Sequence, residues 1–206
     1  MGLKLCVLAS GKGSNLKAII KAQKTRKIYS KVVLVISNNS ASGALNIAKQ
    51  NRIPAYHLSQ KFFKSEAEFV KKFLSLLKKF NVDLIILAGY MKKISPKVIR
   101  KFKNKIINIH PALLPSFGGK GMYGIKVHKA VLESGAKISG ATVHIVDDKY
   151  DNGQIVLQKA VEVKDDDTPE VLQKRVLKTE HKLYAEAIKL FESKKAVVKG
   201  QRVYFK

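Results

Sequence analysis

The sequence lacks several features by which large classes of protein are recognised. Its 206 residues include one cysteine, Cys6, and no tryptophan, so a disulfide framework is excluded and a cytoplasmic location is favoured. No uninterrupted apolar run approaches the ~20 residues that a membrane span needs. The apolar start of the chain is too short, and too soon followed by a glycine-rich turn, for a signal peptide. We therefore expect a globular protein with no membrane association.

Acidic residues are scarce. There are 15 Asp and Glu against 40 Lys and Arg, which gives a net charge of +25, and such a surface attracts polyanions in a salt-dependent way. Only five of the basic residues are Arg, the residue that most often reads bases through bidentate contacts. Zinc-finger, basic-zipper and RNA-recognition signatures are also absent. No specific nucleic-acid partner is expected, and the excess of Lys either helps collect anionic substrates or reflects a compositional bias of the source genome.

A glycine-rich loop follows the first apolar run. Residues 9–15 read Ala-Ser-Gly-Lys-Gly-Ser-Asn, and a strand, a glycine turn and a helix start in this order direct backbone N–H groups at an anion. A Walker loop would need Lys directly before Ser or Thr, whereas Lys12 lies between two glycines. A dinucleotide fingerprint would need a small residue in place of Leu16 and an acid after the second strand. A phosphate site is favoured, and a tight turn without a ligand is the alternative.

The order of apolar segments predicts an α/β protein. Runs at 3–8, 32–36, 54–57, 83–87 and 106–109 predict strands, and segments with helical periodicity lie between most of them. One such segment extends from Phe62 to Phe80. Residues 141–146 and 154–163 predict a hairpin, and a final helix is expected from Thr168 to about Ser193. We predict one domain, 1–206, with a Rossmann-like, mostly parallel sheet, helices on both faces and a C-terminal antiparallel hairpin.

Two polar side chains stand at the end of the fifth predicted strand. Asn108 and His110 are two residues apart, so on a strand they project from the same face. Pro111 has no N–H to donate and favours an extended His110, so the strand should end there. In isolation this pattern is more often a strand end whose polar groups bond to loop backbone.

Acidic residues follow the next predicted strand and its His144, in the turn 147–153. A carboxylate near His110 would favour the imidazolium, and an amide with an imidazolium can stabilise the oxyanion formed when an amine adds to a carbonyl. There is no Cys or GxSxG nucleophile near these residues, which favours direct transfer. The five histidines show no paired ligand spacing, so no metal site is expected.

Five motifs in order identify a resemblance that covers nearly the whole chain. The sequence resembles the phosphoribosylglycinamide formyltransferase family, folate-dependent enzymes of purine synthesis. The matching segments are 10–15 (SGKGSN), 87–91 (LAGYM), 108–115 (NIHPALLP), 140–144 (GATVH) leading to 151–153 (DNG), and the Glu180-His181 pair.

The resemblance implies the substrates and the role of each site residue. Transfer of a formyl group from 10-formyltetrahydrofolate to the amine of glycinamide ribonucleotide would need no metal. Asn108 and His110 would stabilise the oxyanion, while Asp151 would raise the pKa of His110 and help move a proton through water. The remaining implied contacts are the ribonucleotide phosphate at Gly13, Ser14 and Asn15, its ribose at Glu180, and the folate at Met91, Lys92, Lys93, Ile94, Asn108 and the 146–151 turn.

The sequence departs from the family pattern in two places. Relatives often carry an Arg after the third strand. Here Glu66 occupies that position and Lys64 is nearby in the sequence, and we assign a folate contact to neither residue. The loop 118–124 is longer than in many relatives. Asp147 and Asp148 are expected to be solvated turn residues, and His144 is either a support for the site or a buried structural residue. We also predict a cis peptide bond before Pro115.

Other functions share parts of this pattern. Methionyl-tRNA formyltransferase and formyltetrahydrofolate deformylase have a similar core, but each normally carries an additional domain, and we expect this chain to end soon after its last helix. A polyanion-binding protein on the same fold would leave the Asn, His and Asp set without a role, and the glycine loop disfavours a dehydrogenase. The oligomeric state is left open between a monomer and a homodimer.

Overall fold

The computed structural model describes residues 2–193 and 196–206. The strands are β1 (Lys4–Leu8), β2 (Lys31–Ser37), β3 (Ala55–His57), β4 (Leu84–Leu87), β5 (Ile106–His110), β6 (Ile138–Ile145), β7 (Ile155–Glu162), β8 (Ala196–Lys199) and β9 (Arg202–Phe205). The α-helices are α1 (Ser14–Lys24), α2 (Gly43–Gln50), α3 (Glu66–Lys79), α4 (Pro96–Lys101), α5 (Ile125–Glu133) and α6 (Pro169–Ser193), with a 3₁₀ turn at Gln60–Phe62.

Within the described residues, nine strands form one sheet in the order β3-β2-β1-β4-β5-β6-β7-β9-β8. The first five strands of that order are parallel, while β5–β6 and β6–β7 are antiparallel. Parallel strands need crossover connections, which here contain the helices. This confirms the predicted α/β fold, with its mostly parallel sheet and the β6–β7 hairpin. The prediction that residues 1–206 act as one catalytic domain stays a prediction.

The sheet is covered on both faces, because its central strands are apolar on both. Leu5 and Val7 of β1 pack with apolar residues of α1, α2, α5 and α6, whereas Cys6 and Leu8 pack on the other face with residues of α3 and α4. Alternate side chains of a strand point to opposite faces, so a strand between two helical layers must be apolar throughout. Helices on both faces are confirmed.

The helix predicted from Phe62 begins later than expected. Ser65 is the N-cap of α3, where its hydroxyl accepts the N–H of Glu68 at 3.2 Å. Phe62 lies in the preceding 3₁₀ turn and is 62% exposed, so it is not part of the buried stripe. The prediction was wrong at this end because aromatic spacing was given more weight than a capping serine, which fixes where helical backbone starts.

A hairpin that the sequence did not predict follows the last helix. Strands β8 and β9 form a hairpin, and Ile155 of β7 pairs in parallel with Arg202 of β9. Phe205 packs against Phe191 of α6 with ring centroids 5.4 Å apart. The hairpin therefore extends the sheet past β7 and covers part of the final helix. No helix among residues 2–193 and 196–206 is long and apolar enough to cross a membrane.

Candidate active site

The glycine loop lies at the carboxyl end of β1, where ligands bind in open α/β sheets. Gly13 is the N-cap of α1 with φ 79°, and a Cβ there would lie 2.9 Å from the Cα of Ala44. Only glycine combines this left-handed backbone with so close an approach to α2. The first N–H groups of α1, from Ser14 onward, have no acceptor within the helix and form an anion-binding end.

Helix α6 brings Glu180 to this loop. The Asn15 side chain donates from Nδ2 to Oε2 of Glu180 at 2.9 Å, across 165 residues of sequence. Both side chains are buried. Burial raises the pKa of the Glu180 carboxyl, and the hydrogen bond from Asn15 only partly opposes that effect. The Asn15 side-chain oxygen is buried and has no hydrogen-bond partner among the described residues.

The structure brings Asn108, His110 and Asp151 together at the end of β5. Nδ1 of His110 lies 3.5 Å from Oδ2 of Asp151, and Nδ2 of Asn108 donates to Oδ1 of the same carboxylate at 3.5 Å. His110 is 3% exposed, while Asn108 is half-buried. The carboxylate also accepts the Gly119 N–H at 3.0 Å. An amide, an imidazole and a carboxylate thus share one small polar cluster.

Burial and charge act in opposite directions on the protonation of this cluster. Burial lowers the pKa of His110 below its ordinary value, and the opposing effects of Asp151 and of the Phe117 carbonyl do not reverse that shift. Asp151 does act to raise the pKa of His110, as predicted, but desolvation of the imidazolium outweighs the attraction of the carboxylate, so the net shift is downward. Burial acts to raise the pKa of Asp151, but His144, His110 and the Gly119 N–H together hold it below its usual range.

The position of His144 is now settled. It pairs with Asn108 across β5 and β6, and its Nε2 lies 3.1 Å from Nδ2 of Asn108 and 3.6 Å from Asp151. Its Nδ1 lies 2.9 Å from the Ile145 carbonyl, to which an Nδ1–H donates. His144 therefore contacts two members of the cluster, so the structure places it in the site and not in a separate core.

The segment after Pro115 folds over the cluster. Nε2 of His110 donates to the carbonyl of Phe117 at 2.8 Å, so both ring nitrogens of His110 face groups of the protein. A Cβ on Gly118 would lie 2.5 Å from the Leu114 side chain and 3.3 Å from the Cβ of Asp151, so a larger residue there would push on both side chains. This role was not predicted.

Two residues that the sequence did not single out hold the strand end in place. Thr142 is fully buried; its hydroxyl donates to the Ala112 carbonyl at 2.7 Å and accepts the Leu114 N–H at 3.0 Å. Gln158 donates to the Leu114 carbonyl at 2.8 Å. The Leu114–Pro115 bond is cis, as predicted. A threonine inside the GATVH motif was the available sequence signal.

The predicted folate-binding residues form a second wall beside the glycine loop. Met91 is 52% and Tyr150 51% exposed, and the ammonium of Lys93 lies 5.8 Å from the Tyr150 ring. The β4–α4 loop and the 146–151 turn therefore meet, as the folate prediction requires. Ile94, by contrast, is 6% exposed and packs in the core, so only its backbone could face a ligand.

The turn residues predicted to be solvated are placed as follows. Asp147 is half-buried, accepts the Lys149 N–H at 2.9 Å and accepts from Asn152 at 2.8 Å, while Asp148 is exposed. Both acids thus belong to the turn, and Asp147 stabilises it. Among the described residues, no group of three or more His, Cys, Asp or Glu side chains is arranged to hold a metal ion.

Known proteins share this fold and these segments. Residues 3–188 match the family model described as formyl transferase. The chain is 47% identical over 186 residues to the phosphoribosylglycinamide formyltransferase, chloroplastic, of Arabidopsis thaliana, covering 90% of this chain and 64% of that protein. It is 36% identical over 186 residues to the Bacillus subtilis phosphoribosylglycinamide formyltransferase, covering 90% of this chain and 93% of that one.

A solved structure agrees with the sequence relatives. The glycinamide ribonucleotide transformylase 1 of Symbiobacterium toebii superposes with a TM-score of 0.92 at 37% identity, covering 99% of this chain and 94% of that one. The fold and the matched segments agree on one class of α/β protein. The chain belongs to the formyl transferase family. The named relatives are phosphoribosylglycinamide formyltransferases, which confirms the resemblance seen in the motifs. The chain spans about two thirds or less of its plant relatives' length.

Proposed function

We propose that this protein transfers the formyl group of 10-formyltetrahydrofolate to the amine of glycinamide ribonucleotide, a step of de novo purine synthesis. The observation that carries the proposal is the cluster of Asn108, His110 and Asp151, placed at the same edge of the sheet as the glycine loop of α1. The names of the relatives support the choice of acceptor.

The acceptor would bind at the amino end of α1. Its phosphate would accept hydrogen bonds from the N–H groups of Gly13, Ser14 and Asn15. Its ribose hydroxyls would donate to the Glu180 carboxylate. The formyl donor would lie against Met91, Lys92, Lys93 and the backbone of Ile94, with Tyr150 facing it from the other side. Half-exposed Met91 and Tyr150 suit a planar aromatic ring.

The cluster then has distinct tasks in direct transfer. The amine nitrogen would form a bond to the formyl carbon, and the bond from that carbon to the donor nitrogen would break. Asn108 would donate an N–H to the oxygen on which charge develops. His110, whose pKa burial lowers, would receive the proton released by the amine. Asp151 would stabilise the resulting imidazolium, whose positive charge would in turn stabilise the developing oxyanion, and a water would carry the proton on to the donor nitrogen.

The proposal extends to the whole chain and its setting. Residues 1–206 would act as one catalytic domain, as a monomer or a homodimer, without a metal or a specific nucleic acid. The single Cys6 is buried, which suits a reducing compartment, and we propose the cytoplasm. The Arabidopsis relative bears the name chloroplastic, so location varies among relatives.

To test the proposal, the purified protein is incubated with 10-formyltetrahydrofolate and, in parallel reactions, with glycinamide ribonucleotide, methionyl-tRNA or water alone as the acceptor. Absorbance follows loss of the formyl donor, and mass spectrometry identifies the product. We expect rapid turnover only with glycinamide ribonucleotide. Turnover with water alone, or only with the tRNA, would assign a different acceptor, and no turnover with any of the three would contradict formyl transfer.

A further inference from the structure

Ser10 joins three loops at the carboxyl edge of the sheet. It lies on the glycine loop just after β1 and is 9% exposed. Its N–H donates to the Gly89 carbonyl at 3.0 Å, and its own carbonyl accepts from Nδ2 of Asn39 at 3.1 Å. Its hydroxyl donates to the side-chain oxygen of Asn38 and accepts the Met91 N–H at 2.8 Å. Every polar group of Ser10 therefore has a partner, and the partners lie on two other loops.

The bond to Met91 matters because few backbone hydrogen bonds hold the donor-facing loop, whose far end is held by Ile94 packed in the core. Residues 90–94 connect Gly89, which has φ 74°, to the region before α4, and they form neither helix nor strand. Within the described part of the chain, the bond from Met91 to Ser10 is the only hydrogen bond donated by a backbone N–H of residues 90–94. A single hydroxyl thus fixes the start of that loop.

We propose that Ser10 is a positioning residue for the formyl donor. Its hydroxyl holds Met91 and the residues after it in the conformation that receives the donor, while Asn38 orients that hydroxyl with its lone pairs toward the Met91 N–H. Ser10 touches neither substrate in this arrangement and acts through the loop. The inference rests on the proposed function, since it assigns the loop to the formyl donor.

The substitution Ser10→Ala removes the hydroxyl and leaves the backbone bonds to Gly89 and Asn39 intact. The glycine loop should keep its path, so its hold on the acceptor phosphate should change little. The donor must then order residues 90–94 without the Ser10 bond, and a hydrogen bond of this kind contributes about 0.5–1.5 kcal/mol. We expect the KM for 10-formyltetrahydrofolate to rise about three- to tenfold, with kcat and the KM for glycinamide ribonucleotide unchanged within about twofold.

A second variant and a matched control accompany this measurement. Asn38→Ala leaves the Ser10 hydroxyl in place but removes its acceptor, so we expect a smaller rise in the same KM. Ser30→Ala is the control: Ser30 is fully buried and its hydroxyl accepts the Leu3 N–H at 3.0 Å, at the opposite end of β1. Its loss should lower the melting temperature without moving either KM.

The outcomes separate this inference from the proposed function. If the wild-type protein makes no formylated ribonucleotide, the proposed function fails first. If the wild type is active and Ser10→Ala raises both KM values equally, the substitution has loosened the site in general, and the positioning role is overturned. If it raises neither KM, the role is overturned as well, because the hydroxyl then has no effect. Should Ser10→Ala not fold, an unchanged donor KM in Asn38→Ala overturns it equally. A selective rise in the donor KM supports it.

Discussion

Replacing Asp151 by Asn tests the proposed chemistry most directly. The change keeps the shape of the side chain and removes its charge, and the Asn oxygen can still accept the Gly119 N–H that Asp151 now accepts at 3.0 Å. What is lost is the attraction between the carboxylate and an imidazolium at His110, whose Nδ1 lies 3.5 Å away. Folding should therefore change little while proton transfer suffers.

The magnitude follows from that distance. Two unit charges so placed attract each other by about 5 kcal/mol at an effective dielectric constant of ~20. If the imidazolium is about half formed in the transition state, the loss is about 2–3 kcal/mol, and a fully formed ion gives the upper limit. Since ~1.4 kcal/mol is tenfold in rate, we expect kcat to fall by about 30- to 150-fold, with both KM values within about threefold of the wild type.

The assay is steady-state formyl transfer with each substrate varied in turn, together with thermal unfolding. The melting temperature of Asp151→Asn should stay within about 4 °C of the wild type. Asp167→Asn is the matched control, since Asp167 bonds to Arg175 through both carboxylate oxygens, at the start of α6, and its loss should affect stability alone. A variant at Asp151 that keeps more than about a tenth of kcat, or that changes only KM, would refute the proposed role.

The remaining predictions concern buried titratable groups. Burial raises the pKa of Glu180 above its ordinary value, so the folded state binds a proton at this carboxyl more tightly than the unfolded state does. The free energy of unfolding of Glu180→Gln, measured in urea, should therefore increase relative to that of the wild type as pH rises from about 4.5. The KM of this variant for the ribonucleotide should increase about tenfold or more. Burial, with the charge of His110, lowers the pKa of His128 to about 4, so the wild type should lose up to about 3 kcal/mol between pH 6.5 and 4; His128→Leu should lose less, and equal acid sensitivity would contradict this assignment. Burial raises the pKa of the Cys6 thiol, so a thiol reagent should modify no cysteine in the native protein and one in urea, and fast native labelling would disprove it.

Local sequence patterns predicted most of the fold because the strands are buried on both faces. An uninterrupted apolar run such as β4 (Leu84–Leu87) leaves few alternatives, and that strand lies within the predicted segment 83–87. The hairpin of β8 and β9 was missed although a Gly200-Gln201 turn separates two β-branched runs. Its strands are short, and what holds it in place is an edge of β7 and a contact with α6, which no local pattern contains.

The sequence by itself determined the pairing of Asn108 with His110, because strand periodicity and Pro111 fix both side chains at one strand end. It also determined the family, through five short motifs in order. The resemblance named Asp151 as the acid, but only the tertiary structure gives its contacts: Asp151 reaches Asn108 across 43 residues, while Asp147 stabilises its own turn.

Tertiary structure likewise decided the protonation of the site and the links between its loops. Asp151 by itself favours a charged His110, but the depth at which the fold buries that ring reverses the net shift. The bond from Asn15 to Glu180 spans 165 residues, and that from Met91 to Ser10 spans 81. Desolvation and long-range contacts depend on how distant segments pack, so they are properties of the folded chain and not of any local segment.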